Sequence, residues 1–300
     1  MSQVRKPLVS GGTGFVGKRL CALLPAPNVL TRRPEGVPRE FARAACFRWG
    51  PEEGPPPPEA LESCDVVFHL AGEPVAEGRW NAAKKRRIRD SRVLGTRNLV
   101  AGLRALPEPP PVLVSASAVG FYGSRRNEVL DESSGRGTGF LAEVCEEWES
   151  EARQAESFGM RVVTVRIGLV LGREGGALGR MLPLFRLGGG GRLGDGRQWM
   201  PWIHVQDLAR LLVFAAENKS LNGAVNGVSP RPVTNREFTA ALGRAVRRPA
   251  LFPAPAFALR LALGEFAEVL LGSQRALPRA ATEAGFKFRY GTIDSALGSL

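Results

Sequence analysis

The sequence predicts an α/β protein: a doubly wound parallel sheet with a small carboxyl-terminal lobe. Three observations carry that prediction. Short apolar runs alternate with amphipathic stretches through the first half of the chain. Several of those runs are continuously apolar, as strands buried on both faces of a parallel sheet are. From about Gly172 the even alternation stops, and glycine-rich loops with short helices replace it.

Taken in order, Leu8 to Ser10 reads as the first strand, followed by glycines and an amphipathic run, Lys18 to Leu24. Asn28 to Leu30 reads as a second, short strand that ends in Thr31-Arg32-Arg33. After a loop containing PEEGPPPPEA, the run DVVFHLAG reads as the next strand. A long helix from Asn81 to Leu106 leads through PEPPP into another buried strand, Val112 to Ser115. A further helix, about Gly139 to Phe158, precedes the strand MRVVTVRIG. Repetition of strand, helix and strand gives parallel order with right-handed crossovers. The carboxyl-terminal third, with LGGGGRLGDGRQW, is expected to cover the carboxyl edge of the sheet.

A chain of 300 residues, 44% hydrophobic and 23% charged, carries enough apolar material for a sizeable core. Cys21, Cys46, Cys64 and Cys145 lie far apart, with no CxxC pair and no histidine cluster beside them. That spacing argues for reduced thiols and against disulfides or a zinc site. His69 and His204 are too few for a histidine-based metal centre, so no metal is expected. The first residues run directly into a strand, which argues against a signal peptide. No stretch reaches the ~18 apolar residues of a membrane span. The expectation is a cytoplasmic protein without a membrane partner.

A net charge of +12 raises nucleic-acid binding as a competing class. The densest cluster is RWNAAKKRRIRDSR, Arg79 to Arg92. No aromatic interleaving, zinc finger or RNP-like motif accompanies it. A solvated helix face is the preferred reading.

The motif that carries chemistry is GGTGFVG: Gly11, Gly12, Thr13, Gly14, Phe15, Val16 and Gly17. Glycines at this spacing are weak evidence alone, but these fall at the first strand-to-helix turn. There one glycine permits the turn, the next lets a pyrophosphate approach the backbone, and the third lets helix and sheet pack closely. Unpaired N–H groups at the helix amino terminus then face the phosphates. The end of the second strand selects the cofactor. An acid there binds the ribose 2′-hydroxyl of NAD, whereas Thr31, Arg32 and Arg33 suit a 2′-phosphate. NADP(H) is therefore the expected cofactor.

GGTGFVG, HLAGEPV, SASAVGFYG and WIHVQDLA, in this order, resemble the extended short-chain dehydrogenase/reductases. HLAGEPV, SRVLGT, FLAEVCEEWE, GGALGRMLPLF and SQRALPRAATEAGFKF narrow the resemblance to an epimerase-like, SDR39U1-type branch, over essentially the whole chain. The resemblance implies a Rossmann-type fold: residues 1–171 as the NADP-binding domain and 172–300 as a smaller substrate-side lobe and tail, with interleaved segments. It also implies NADP(H) contacts at the glycine loop, at Thr31 and Arg32, at Leu70, Ala71 and Gly72, at Arg92, and near Val170. Arg92 gives the basic cluster a role at the adenosine phosphate, against the solvated face.

The same resemblance exposes a departure. Extended reductases use a Tyr-x-x-x-Lys pair, the phenol moving a proton and the amine lowering its pKa. In GFLAEVCEEWESEA those two positions fall on Leu141 and Cys145. Either Ser117, Tyr122 or Glu73 manages the proton, or the chain binds cofactor with little turnover. The first reading is an NADP-dependent oxidoreductase or epimerase-like enzyme on an unknown small molecule. The second is an NADP(H)-binding sensor or scaffold. Trp199, Trp202, His204 and Asp207 are read as packing and docking residues, and Cys145 as core.

Overall fold

The computed structural model describes residues 4–36 and 41–299. The chain begins β1 (Pro7–Ser10), α1 (Phe15–Cys21), β2 (Asn28–Thr31), β3 (Ala45–Arg48), α2 (Pro58–Leu61), β4 (Val66–His69) and α3 (Ala82–Arg104). It continues β5 (Val112–Ala118), β6 (Val129–Leu130), α4 (Phe140–Arg153), β7 (Arg161–Ile167), β8 (Leu169–Leu171) and α5 (Gly176–Arg186). Next come β9 (Trp199–Met200), β10 (Trp202–His204), α6 (Val205–Glu217) and β11 (Gly223–Gly227). The remainder holds β12 (Val233–Thr234), α7 (Asn235–Ala245), α8 (Ala256–Leu263), α9 (Ala267–Leu271), β13 (Arg275–Ala276), α10 (Arg279–Glu283) and α11 (Ile293–Leu297).

Among the described residues, seven strands form one parallel sheet in the order β11-β7-β5-β4-β1-β2-β3. Adjacent strand residues divide between two cores. Val9, Phe68, Val114 and Val163 pack with Leu20 of α1 and Leu208, Leu211 and Leu212 of α6. Leu8, Val67, Leu113 and Val162 pack on the other face with Leu99, Val100 and Leu103 of α3. Burial on both faces is why these strands read as unbroken apolar runs. A third core, with Leu171, Leu178, Trp202, Phe238 and Leu242, belongs to the carboxyl-terminal lobe.

The chain leaves β1 outward through β2 and β3, then returns to β4 on the other side of β1. This reversal opens a crevice at the carboxyl ends of β1 and β4, the place where doubly wound sheets receive ligands.

Two elements differ from expectation. β3 was not anticipated: ACFR is an edge strand with its ends exposed, so it shows neither an apolar run nor clean alternation. The helix after Gly139 ends at Arg153 and tightens into a 3₁₀ segment, Gln154–Phe158. Segments on either side of residue 171 interleave, because β11 pairs with β7 and α6 covers the sheet's face.

Candidate functional site

The glycine loop is built as a cradle. Gly11 has φ +71°, and a Cβ there would lie 2.8 Å from the backbone of Leu70 and Ala71. Such an arrangement admits only glycine. A Cβ on Gly17 would lie 2.2 Å from Gly11 O, so α1 enters the turn without side-chain clearance. Gly14 differs: its Cβ would meet only Gly11 O, at 3.3 Å, and the space above it is otherwise open. A cradle that a side chain at Gly14 would fill fits a pyrophosphate against the amino terminus of α1. Phe15 turns its ring the other way, onto Gly172, Gly175 and Gly176, and so ties the loop to the turn after β8. Thr13 is exposed, and Val16 packs against the core beneath α1.

Below the loop lies a buried polar set that sequence reasoning missed. His69 Nδ1 is 2.6 Å from Ser10 Oγ, and its Nε2 is 2.9 Å from Thr96 Oγ1. Ser10 Oγ also accepts the Ala71 N–H at 3.3 Å. The strand register pairs Ser10 with His69, so β1 and β4 are locked where the loop departs. Complete burial pushes the His69 imidazole down to about 4, so it is neutral at physiological pH.

At the end of β2, Arg32 and Arg33 are exposed, and neither has an acidic partner among the described residues. Thr31 Oγ1 accepts the Arg33 N–H. Arg48, opposite Thr31 in the register of β3, adds a third exposed cation that was not anticipated. Its signal was an arginine closing an unrecognised edge strand.

Much of the basic cluster on α3 is paired. Lys84 is buried against Glu73 at 2.7 Å, and Arg87 reaches the same carboxylate at 3.6 Å. Lys85 pairs with Glu265, and Arg89 with Glu147. Arg92 is not a surface cation. Its Nη1 donates to the carbonyls of Glu73 and Ile88, its guanidinium lies 5.1 Å from the Trp148 ring, and it packs beside Gly72. Val170 sits in β8, paired with Ile203 and packed against the sheet core.

The three proton-handling candidates are all held by other side chains. Ser117 is 2% exposed and donates to Glu149 Oε1 at 2.7 Å. Tyr122 is 0% exposed; its hydroxyl donates to Asn226 Oδ1 and accepts from Arg166 Nη1. Arg166 in turn holds Glu149 with Nε and Nη2, at 2.8 and 2.9 Å. Both hydroxyls therefore belong to a buried network joining β5, α4, β7 and β11. Glu73 is engaged as well, by Lys84. The hydrogen bond from Lys84 holds its carboxyl below the usual range, opposite to the raised value a general acid needs.

Leu141 and Cys145 lie on α4 against Gly120, where a Cβ would stand 3.3 Å from Leu141 and 3.8 Å from Cys145 Sγ. Burial pushes the Cys145 thiol up to about 11, so it is no thiolate nucleophile. The other cysteines are also free thiols. Trp202 is buried core, and Trp199 donates to Asn127. His204 caps α6 and stacks on Tyr290 at 3.8 Å. Buried Asp207 accepts the N–H groups of Arg289 and Tyr290, which docks the tail. Among the described residues, no cluster of three His, Cys, Asp or Glu is placed to hold a metal. No helix among them is long and apolar enough to cross a membrane.

Comparison with known proteins agrees with this geometry. Residues 7–226 match the NAD dependent epimerase/dehydratase family. The chain belongs to that family. Residues 254–300 match a domain of unknown function, DUF1731. An epimerase family protein of Mycobacterium bovis is 45% identical over 291 residues, covering 97% of this chain and 95% of that one. The chloroplastic SDR39U1 homolog of Arabidopsis thaliana is 41% identical over 298 residues, covering 97% and 85%. The crystal structure of human epimerase family protein SDR39U1 (isoform 2) with NADPH superposes with a TM-score of 0.87 at 34% identity, covering 98% of both chains. The SDR39U1-type branch of the epimerase family is thus the chain's place, and its Rossmann-type α/β fold is the branch's fold.

Proposed function

We propose that this epimerase-family protein is an NADP(H)-dependent oxidoreductase or epimerase acting on a small molecule, without a tyrosine–lysine proton relay. The observation that carries the cofactor is the pair Arg32 and Arg33: exposed, without acidic partners among the described residues, at the end of β2. The human relative crystallised with NADPH supports the same assignment. Gly11 to Gly17 and the amino terminus of α1 hold the pyrophosphate, and Arg32 and Arg33, with Arg48 beside them, bind the 2′-phosphate. Leu70, Ala71 and Gly72 form the wall opposite, stiffened from below by His69 and Arg92. The nicotinamide supplies or accepts hydride when bound. This chain's own contribution is to bind, orient and exclude water, since Ser117 and Tyr122 are engaged inside the fold.

The test is a fluorescence titration of the full chain with NADPH and NADH. NADPH binds more tightly, and Arg32→Ala with Arg33→Ala erodes the preference by ~10-fold or more, as loss of charge-assisted bonds requires. Equal affinity of the unmodified protein for both cofactors overturns the assignment. A second reading, an NADP(H)-binding sensor with little turnover, draws on the apolar Leu141 and Cys145 where the relay stands in extended reductases. Hydride exchange at the nicotinamide C4 in the presence of candidate substrates separates the two. Four free thiols fit a reducing compartment such as the cytoplasm.

A further inference from the structure

The carboxyl-terminal lobe carries a second basic feature, remote in sequence from the glycine loop. A cavity of about 510 Å³ opens along α7 and is lined by Arg192, Arg236, Thr239, Arg244, Arg247 and Arg248, with small residues between them. No acidic residue lines it. It shares no lining residue with the cleft at the sheet's carboxyl edge.

The cations there are largely uncompensated. Arg244 pairs with Asp294 at 2.6 Å, both side chains being exposed. Arg236 reaches only a backbone carbonyl, that of Asp195, at 3.4 Å. Arg192, Arg247 and Arg248 have no acidic partner among the described residues. Arg192 and Arg236 are held side by side, each 3.3 Å from the place a Cβ on Gly196 would occupy. Those contacts are made by the aliphatic stems of the two side chains, and five arginines on one acid-free lining raise the local potential and favour an anion.

A plainer account explains part of this and fails on the rest. Arginines near a helix carboxyl end interact favourably with the helix dipole, which accounts for Arg244, Arg247 and Arg248. Arg236 stands in the first turn of α7, where the dipole disfavours a cation, and Arg192 lies on another segment. Arg247 itself occupies the left-handed region at φ +56°, a position after a helix that glycine takes without strain.

An independent observation comes from Thr239. It is 4% exposed, lines the cavity, and its hydroxyl has no hydrogen-bond partner among the described residues. Buried hydroxyls in helices ordinarily donate back to the preceding turn. This one has no such partner. The opposite face of α7, Phe238, Ala241 and Leu242, is fully committed to the lobe core, so the helix presents the cavity from a fixed frame.

We propose that this cavity is a binding site for a small anion bearing two or more phosphate groups. The guanidinium groups of Arg192, Arg236, Arg247 and Arg248 grip the oxygens, and the Thr239 hydroxyl donates to one of them. Arginine forks match phosphate geometry and remain charged at every physiological pH. The five arginines line a single cavity, which suits a compact anion, whereas a nucleic-acid backbone needs an extended stripe.

The experiment uses the full chain saturated with NADPH, so that the glycine loop is filled, and titrates pyrophosphate by calorimetry. Saturable one-site binding is expected, together with a rise in melting temperature by mass action. Arg236→Gln combined with Arg247→Gln weakens pyrophosphate at least ~10-fold, as loss of charged hydrogen bonds requires. Thr239→Val weakens it by a smaller factor and leaves the protein folded, because it removes an orphaned buried hydroxyl. NADPH affinity is unchanged in each variant. Absence of saturation at millimolar pyrophosphate overturns the site, as does equal binding by the double variant. Displacement of pyrophosphate by a short single-stranded RNA at far lower concentration overturns it in favour of a nucleic-acid surface.

Discussion

At the scale of single residues, the glycine loop separates two demands that the sequence places three positions apart. Gly17 is constrained by the fold itself, with Gly11 O 2.2 Å and Gly12 Cα 2.6 Å from a Cβ there. Gly14 has ordinary extended geometry and almost nothing within reach of its missing side chain. Gly17→Ala is therefore expected to destabilise the protein by about 1–3 kcal/mol, the cost of overpacking a tight contact. Gly14→Val is expected to leave the melting temperature nearly unchanged while cutting NADPH affinity at least ~10-fold. Thermal melting and cofactor titration of the two variants check this, and a swapped pattern would reverse the roles. These roles were legible because glycine's uses are few. The dependence of the same loop on Ser10, His69 and Thr96 was not legible. Their contacts join segments 59 and 27 residues apart, and nothing local marks them.

At the scale of elements, β5, α4 and β7 were readable as strand, helix and strand, but not the direction of their hydroxyls. Strands buried on both faces show no alternation from which to infer a side. The available signal was a polar residue inside each apolar run, Ser117 in β5 and Arg166 in β7, which the parallel register sets directly opposite one another. Glu149 of α4 closes the set. Removing one partner of a buried ion pair leaves the other charge unmatched and costs about 3–5 kcal/mol. Glu149→Gln is expected to destabilise by that order, and Ser117→Ala by only about 1 kcal/mol, one hydrogen bond. Chemical denaturation ranks the two. Equal effects would show that Glu149 is not the centre of the network. If a substrate is identified, Ser117→Ala should barely alter the chemical step, because that hydroxyl is committed to Glu149.

At the scale of the whole molecule, the carboxyl-terminal third does not sit on the sheet as a separate cap. It supplies β11 to the sheet, α6 to one face, and a tail docked on Asp207 through Arg289 and Tyr290. Global stability therefore reports on groups anywhere along this shared core, and buried His69 couples it to pH. Its imidazole is neutral in the fold, pushed down to about 4 by burial, against an ordinary value of 6.5. The unfolded chain thus takes up the proton first as pH falls. The stabilisation is complete above about 6.5, declines between 6.5 and about 4, and is gone below that range. Two and a half pH units of such displacement correspond to about 3 kcal/mol, as an order of magnitude. His204, the other histidine, is also lowered by burial and contributes in the same direction. Denaturant unfolding at a series of pH values from 7 to 4 should show stability falling with acidification, and His69→Gln should flatten that slope without abolishing it. An unchanged slope in His69→Gln would mean that the imidazole beneath the glycine loop is not what makes the fold sensitive to acid.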